Sequence, residues 1–220
     1  PIKEISKICK DRGVIFHSDA AQGFGYIPFK IDRLGVDLMT ISSHKIYGPQ
    51  GVGALIISNN VSIQPLIWGG GQEKGIRAGT LPVPLIVGFG KAVEIAINDM
   101  EDNIVKFADL RNKLWSGLSN EISGLLINGS LEKRLPHNLN FTVQGVLGSR
   151  MQKLLRSKIV CTSASSCNNG SPSHVLMELG RTSKEAEASF RLSIGRYTTN
   201  HDIEKAIELI SEIINKLRKI

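Results

Sequence analysis

Leu38-Met-Thr-Ile-Ser-Ser-His-Lys45-Ile-Tyr-Gly-Pro-Gln-Gly51 sets a single lysine between two short apolar runs and just ahead of two glycines and a proline. Leu38 to Ile41 and Ala54 to Ile57 are largely aliphatic or β-branched and are bounded by Gly and Pro, as buried strands are. The stretch therefore predicts strand, turn, strand, with Lys45 at a strand end on a glycine-supported loop. Burial lowers a lysine's pKa and makes its amine nucleophilic, which is what Schiff-base chemistry with a carbonyl cofactor requires. An isolated Ser-His-Lys on a hairpin would serve equally as a surface turn, so the assignment rests on the residues around it.

Upstream, Ile2, Ile5, Ile8 and Cys9 recur at helical spacing and Gly13 stops the helix. Val14-Ile-Phe16 then predicts the start of a buried strand that ends in His17-Ser-Asp19-Ala-Ala-Gln22. Asp32 to Gly35 makes a short connection to the Leu38 strand. The first hundred residues thus read as α/β with a largely parallel sheet, in which ligands bind at the strand ends. Downstream lies Trp68-Gly-Gly-Gly-Gln-Glu-Lys-Gly75-Ile-Arg77-Ala-Gly79-Thr80. It lacks the GxxxxGK[ST] pattern of a P-loop. It is either a flexible connection or a loop whose backbone, Arg77 and Thr80 offer donors to a phosphate.

From Pro82 a long amphipathic helix is expected, with Leu85, Phe89, Val93, Ile97, Met100 and Ile104 on one stripe that continues through Leu110, Leu114 and Leu118. It reads as a connector between domains. Strands at Leu125–Ile127 and Asn138–Val143, a helix at Met151–Leu155 and a strand after Lys158 lead to the polar loop Cys161-Thr-Ser-Ala-Ser-Ser-Cys167-Asn-Asn-Gly-Ser-Pro172. A helix over Ser173–Leu179, a strand over Phe190–Ile194 and a closing amphipathic helix follow. Asn200 is the expected cap of that last helix, and Ile203, Ile207, Ile210, Ile214 and Leu217 form its stripe. The division expected is a partial large domain over 1–95 and a small α+β domain over 96–220, with the cysteine loop at 161–172.

With 220 residues, 41% hydrophobic and 21% charged, the chain has the composition of a globular protein. It has no apolar run of membrane-spanning length and no apolar centre of a signal peptide at its start, which implies a cytoplasmic protein with no membrane role. Three cysteines, Cys9, Cys161 and Cys167, without CxxC spacing imply neither a disulfide framework nor a metal site. The net charge of +7 is spread among acidic residues along helices, so direct nucleic-acid binding is not expected. A surface for an acidic partner protein is compatible with it.

Four separated features point to one site: Asp19 in His17-Ser-Asp19-Ala-Ala-Gln22, Lys45 after Ser42-Ser-His44, the Gly79-Thr80 loop, and Arg191 in Phe190-Arg-Leu-Ser-Ile-Gly195-Arg. Together with His44-Lys-Ile-Tyr-Gly-Pro49, Gly69-Gly-Gly-Gln-Glu-Lys-Gly75, Arg77-Ala-Gly-Thr-Leu-Pro82 and Pro172-Ser-His-Val-Leu176, in that order, they resemble the cysteine desulfurases of the class V aminotransferase family. These are pyridoxal-phosphate enzymes of the aspartate-aminotransferase (type I) fold that supply sulfur for iron–sulfur clusters and thio-cofactors. The resemblance runs the length of the chain.

It implies that Lys45 holds pyridoxal 5'-phosphate through its amine and that Asp19 pairs with the cofactor's ring nitrogen. Gln22 would meet its phenolic oxygen, Ser42 and His44 its phosphate, and Thr80 the phosphate of the partner subunit in a homodimer. Arg191 would clamp the carboxylate of the substrate, L-cysteine. A cysteine thiolate on the mobile loop would take the sulfur as a persulfide and pass it to an iron–sulfur scaffold or other acceptor protein. The letters Cys161-Thr-Ser-Ala-Ser favour Cys161, whereas spacing from Ile159 places Cys167 on the catalytic position; Cys167 is the choice, with Cys161 a buried structural thiol.

The resemblance also needs a ring-stacking His, an Asn and small phosphate ligands upstream of anything here, and His17 is too near Asp19 to stack on the ring. The expectation is a C-terminal portion lacking roughly two fifths of such a protein, with an incomplete large domain. Three readings follow. The chain is a desulfurase, alone or complemented by a separate half; it is a related enzyme such as a selenocysteine lyase; or it is an inactive remnant that serves only binding or dimerisation.

Overall fold

The helical spacing of Ile2, Ile5 and Ile8 forms α1 (Ile2–Asp11), after which Gly13 takes a left-handed conformation at φ 64°. The computed structural model describes residues 1–162 and 172–219. They divide into two compact units, 1–101 and 102–220.

In the first unit α1 is followed by β1 (His17–Asp19), α2 (Ile31–Leu34), β2 (Leu38–Ser42), a 3-10 turn (Ser43–Ile46), β3 (Gly53–Ile57), a second 3-10 turn (Gln72–Gly75) and α3 (Val83–Asn98). The sheet order is β1-β2-β3. β1 and β2 are parallel, with His17 opposite Leu38 and Asp19 opposite Thr40. β2 and β3 are antiparallel, with Ser42 opposite Gly53. The described sheet is therefore mixed where a largely parallel one was expected, and the reason is length. Residues 43–52 join β2 to β3, fewer than the dozen or so that a parallel crossover needs. The strand expected from Val14 starts only at His17, and Val14 and Ile15 are 54% and 59% exposed.

Met39 and Ile41 of β2, Ile46 of the first turn, and Phe89, Ala92 and Ala96 of α3 are buried in this unit. The close approach of α3 depends on small residues. A Cβ placed on Gly48 would fall 2.9 Å from the Cβ of Ala92, so only glycine fits between the turn and α3.

The long connector predicted from Pro82 is two helices. α3 ends at Asn98, capped by Asp99, whose φ of −91° and ψ of 2° leave helical geometry, and α4 (Met100–Glu121) begins anew. Asn98 and Asp99 compete with the helix for their own backbone groups, which the apolar stripe alone did not reveal.

The second unit contains an antiparallel sheet in the order β4 (Leu125–Ile127), β5 (Asn138–Val143), β6 (Ser189–Ser193). Its helices are α4, α5 (Gly148–Leu155), α6 (His174–Glu178), α7 (Ser183–Glu187) and α8 (Asn200–Leu217). The expected strands and helices are present, but the strand after Lys158 reduces to one isolated bridge, between Thr162 and Arg191. The core collects Leu139, Phe141 and Val143 of β5, Phe190 of β6, Phe107 and Leu118 of α4, Met151 and Leu155 of α5, and Ile210 and Ile214 of α8, all almost fully buried. Phe141 meets Phe190 edge to face at 6.0 Å.

One polar cluster is sealed within this unit. Asn128 donates to Asn140 at 2.7 Å and Ser189 at 3.1 Å, and accepts from Thr142 at 3.1 Å and from Arg181 Nε at 2.7 Å. Such a network is tolerated in a core because its members are partnered, and it fixes the register of β5 against β6. The cap of α8 is Thr199, which with Asp202 forms a reciprocal capping box; Asn200 is the first helical residue, not the cap. Among the described residues no helix is long and apolar enough to cross a membrane.

Candidate active site

Parallel pairing of β1 with β2 brings their C-terminal ends to one edge of the sheet, and four of the predicted site residues lie there. Asp19 ends β1, with its Oδ1 accepting the Ala21 N–H at 2.8 Å. This Asx turn orients one carboxylate oxygen and leaves Oδ2 without a partner among the described residues. The Ala20 N–H donates to the Thr40 carbonyl at 2.9 Å and carries the pairing one residue further.

Ser42 ends β2, and its hydroxyl lies 3.0 Å from Nδ1 of His44. Lys45 follows on the 3-10 turn, which is held down by buried Ser43 and Ile46 while Lys45 itself is half-buried. No described group bonds its ammonium. Tyr47 then closes the turn in a left-handed conformation at φ 66°, uncommon for a residue with a Cβ, and the Gly48 N–H returns to the Ser43 carbonyl at 3.0 Å. Residues held in sparsely populated backbone regions cluster at functional sites.

Tyr26 was not foreseen as part of this site. It is buried and its hydroxyl donates to the Lys45 carbonyl at 3.0 Å, so the segment after β1 pins the lysine's backbone. An aromatic residue in Gly23-Phe-Gly-Tyr26 was the available signal. His17 was set aside in the sequence, yet its Nε2 lies 2.7 Å from Thr40 Oγ1 on the strand pair that carries Asp19.

Gln22 is exposed in the turn after β1. Thr80 is exposed ahead of α3, and no bond joins it to the Lys45 group among the described residues. The preceding glycine-rich loop is held in a tight shape. Glu73 and Lys74 are left-handed at φ 50° and 57°, and Gln72 Oε1 accepts the Gly79 N–H at 3.1 Å. A broad cleft in this unit, lined by Lys10, Val14, Phe29, Asp37, Leu38 and Ile56, lies towards the opposite end of β2 and includes none of these predicted residues.

In the second unit Arg191 sits half-buried on β6, opposite Asn140 of β5. On its other side it exchanges backbone hydrogen bonds with Thr162, Arg191 N–H to Thr162 O at 2.8 Å and the reverse at 3.3 Å. The strand bearing the arginine is thereby tied to the residue that follows Cys161. Cys161 is half-buried, its carbonyl takes a hydrogen bond from Gln152, and burial pushes its thiol pKa upward, which keeps the sulfur protonated and poorly nucleophilic. Cys167 lies outside the described residues. Buried His137, beside Phe107, has its pKa lowered to about 4 by burial and by the charge of Arg191, and is a neutral imidazole at pH 7.

This donor set fits pyridoxal phosphate. It holds an amine for the carbonyl and a carboxylate oxygen for the ring nitrogen, both without a partner among the described residues, and a hydroxyl and imidazole for the phosphate, all at one strand edge.

A fold and a site of this kind define a vitamin-B6-type enzyme scaffold, and sequence comparison places the chain within it. The family described as aminotransferase class-V matches residues 1–206, and the chain belongs to that family. It is 45% identical, over its whole length, to the cysteine desulfurases IscS of Rickettsia bellii and Rickettsia prowazekii, and covers 54% of each. The chain thus spans about half the length of the curated relatives it matches. Among solved structures it is similar to a NifS-like protein (TM-score 0.89, 36% identity, 98% of this chain and 57% of that one). It is also similar to the NifS-like protein from Rickettsia africae (TM-score 0.87, 38% identity, 97% of this chain and 57% of that one).

Proposed function

We propose that this chain carries the lysine-bearing part of a cysteine desulfurase that acts in the cytoplasm, converting L-cysteine to L-alanine and delivering the sulfur to an acceptor protein such as an iron–sulfur scaffold. The observation that carries the proposal is the meeting of Asp19, Ser42, His44 and Lys45 at the C-terminal edge of β1 and β2, with Lys45 half-buried and its amine without a partner among the described residues.

Lys45 would attach pyridoxal phosphate, Asp19 and Gln22 would hold its ring, and Ser42 and His44 its phosphate, with Thr80 reaching the phosphate of a second copy. When bound, the cofactor supplies an electron sink that stabilises negative charge at the substrate Cα. The chain's own residues do the rest. Asp19, turned by the Ala21 N–H, would lie against the ring nitrogen and favour a proton there. Lys45 Nζ exchanges protons with the substrate carbons. Arg191 holds the substrate carboxylate with a two-pronged guanidinium. The Cys167 thiolate attacks the substrate sulfur, whose bond to Cβ breaks as the S–S bond of a persulfide forms. The raised thiol pKa of Cys161 supports Cys167 in that role.

The test is the visible spectrum of the purified chain with added pyridoxal phosphate. A band fixed by borohydride and missing in Lys45→Ala is expected. A sulfide-release assay on Cys167→Ser and Cys161→Ser then identifies the nucleophile, with loss expected only for Cys167→Ser. Absence of a Lys45-dependent band overturns the proposal that these residues suffice to hold the cofactor.

A further inference from the structure

The even spread of charge along the chain has an exception at α5. Between Glu132 and Glu178 the sequence has no acidic residue, while α5 and the segment after it carry Arg150, Lys153, Arg156 and Lys158. All four are exposed, and none makes an ion pair or a side-chain hydrogen bond among the described residues. The inner face of the helix is filled by Met151 and Leu155, so packing does not call for them. Lys153, Arg156 and Lys158 suit the negative end of the helix dipole. Arg150 does not, because it is the third residue of α5, where the dipole disfavours a cation. Arg150, Lys153 and Arg156 also follow one another at intervals of three, which sets like charges side by side along the outer face. Next to them Leu154 is 44% and Val160 98% exposed. Unpaired like charges and bare aliphatic groups on one face leave the helix without a local compensation, and a counterpart from outside supplies it.

We propose that the outer face of α5, continued by Lys158 and Val160, is the docking surface for an acidic, partly apolar face of a partner protein. That this partner is the sulfur acceptor rests on the desulfurase reading. Carboxylates of the partner meet Arg150, Lys153, Arg156 and Lys158, steering the encounter and fixing its register, and aliphatic groups cover Leu154 and Val160. The position suits a transfer partner. Gln152 of the same helix donates to the Cys161 carbonyl at 3.1 Å, and Thr162 is paired with Arg191 of β6. The docking face is thereby bonded to the residues from which the sequence runs on towards Cys167. A nucleic acid fits less well. No Phe, Tyr or Trp occurs between Phe141 and Phe190, so bases have no ring to stack on, and a phosphate backbone leaves Leu154 and Val160 uncovered.

The test is fluorescence anisotropy on the full chain with three labelled probes: a peptide of glutamates and leucines at helical spacing, its twin with glutamine for glutamate, and an oligouridylate of similar charge. The acidic peptide is expected to bind, and its glutamine twin about tenfold more weakly. The double variant Arg150→Glu, Lys153→Glu is expected to weaken binding of the acidic peptide about tenfold, and Leu154→Ser about threefold. Lys3→Glu with Lys7→Glu makes the same change of net charge on exposed positions of α1 and is expected to leave binding unchanged. Arg150→Glu alone is expected to raise the thermal midpoint, since an acid suits the first turn of a helix. A lowered midpoint shows that Arg150 serves the helix itself and overturns the proposal. So does a parent chain that does not bind the acidic peptide, or binding as sensitive to the α1 changes as to those on α5. Tighter binding of the oligouridylate, indifferent to Leu154→Ser, assigns the face to nucleic acid and overturns it as well. Peptide binding that depends on α5, in a chain with no Lys45-dependent band, overturns the acceptor role and leaves the docking surface standing. A Lys45-dependent band without such binding overturns the docking surface alone.

Discussion

The hydroxyl of Tyr26 donates to the carbonyl oxygen of Lys45 at 3.0 Å, so the backbone of the functional lysine is anchored by a buried side chain nineteen positions earlier. Replacing Tyr26 by Phe deletes this bond and keeps the ring. The expected cost is about 1 kcal/mol, with amide exchange over residues 45–48 accelerated about fivefold relative to the parent. Exchange unchanged across that turn would show that the bond does not hold it.

Ser43 presents the opposite case. It is fully buried and its hydroxyl has no hydrogen-bond partner among the described residues. A buried donor left unmade costs roughly 1–3 kcal/mol. Ser43→Ala is therefore expected to stabilise the chain, raising the midpoint of urea unfolding at unchanged slope; a lowered midpoint counts against the orphaned hydroxyl.

His137 makes the second unit sensitive to acid. Its pKa falls from 6.5 to about 4 on folding, through burial first and the nearby Arg191 second. Between those values the unfolded chain binds more protons than the folded one, so stability declines as pH drops from about 6.5 towards 4 and is fully present above. The loss is on the order of 3 kcal/mol. Thermal melts between pH 7 and pH 5 should show a decline that is reduced in His137→Asn, and equal slopes in the two proteins would refute the assignment.

The two candidate caps of α8 can be told apart by substitution. Thr199 accepts the Asp202 N–H and the Asp202 carboxylate accepts the Thr199 N–H. Thr199→Ala is expected to cost about 1 kcal/mol, and Asn200→Ala only a few tenths, by chemical denaturation.

The cap illustrates what sequence could and could not reveal. Asn200 and Thr199 are both good cap residues, and only the backbone geometry distinguishes them. The Lys45 turn and the strands of the second unit were legible because short apolar runs between Gly, Pro and polar residues leave few alternatives. Asp19 and Ser42 could be placed at strand ends, but their common edge depends on the parallel pairing of β1 with β2, a long-range fact. The reversal of β3 was written in the length of residues 43–52, a constraint that composition did not express. The break at Asp99 was masked by an apolar stripe that continues through it. The contacts of Tyr26 with Lys45 and of His17 with Thr40 join residues far apart in the chain and carry no local pattern.

The position of β2 between β1 and β3 has a colloidal consequence. Both outer strands present open hydrogen-bonding ladders among the described residues, and β3 reads Gly53-Ala-Leu-Ile-Ile57, with no charge and no proline to discourage pairing, while Leu55 is 45% exposed. Such an edge is a template for strand addition between molecules. Concentrated preparations of this polypeptide will tend to self-associate through β3, and a lysine in place of Leu55 is the change that would keep them dispersed.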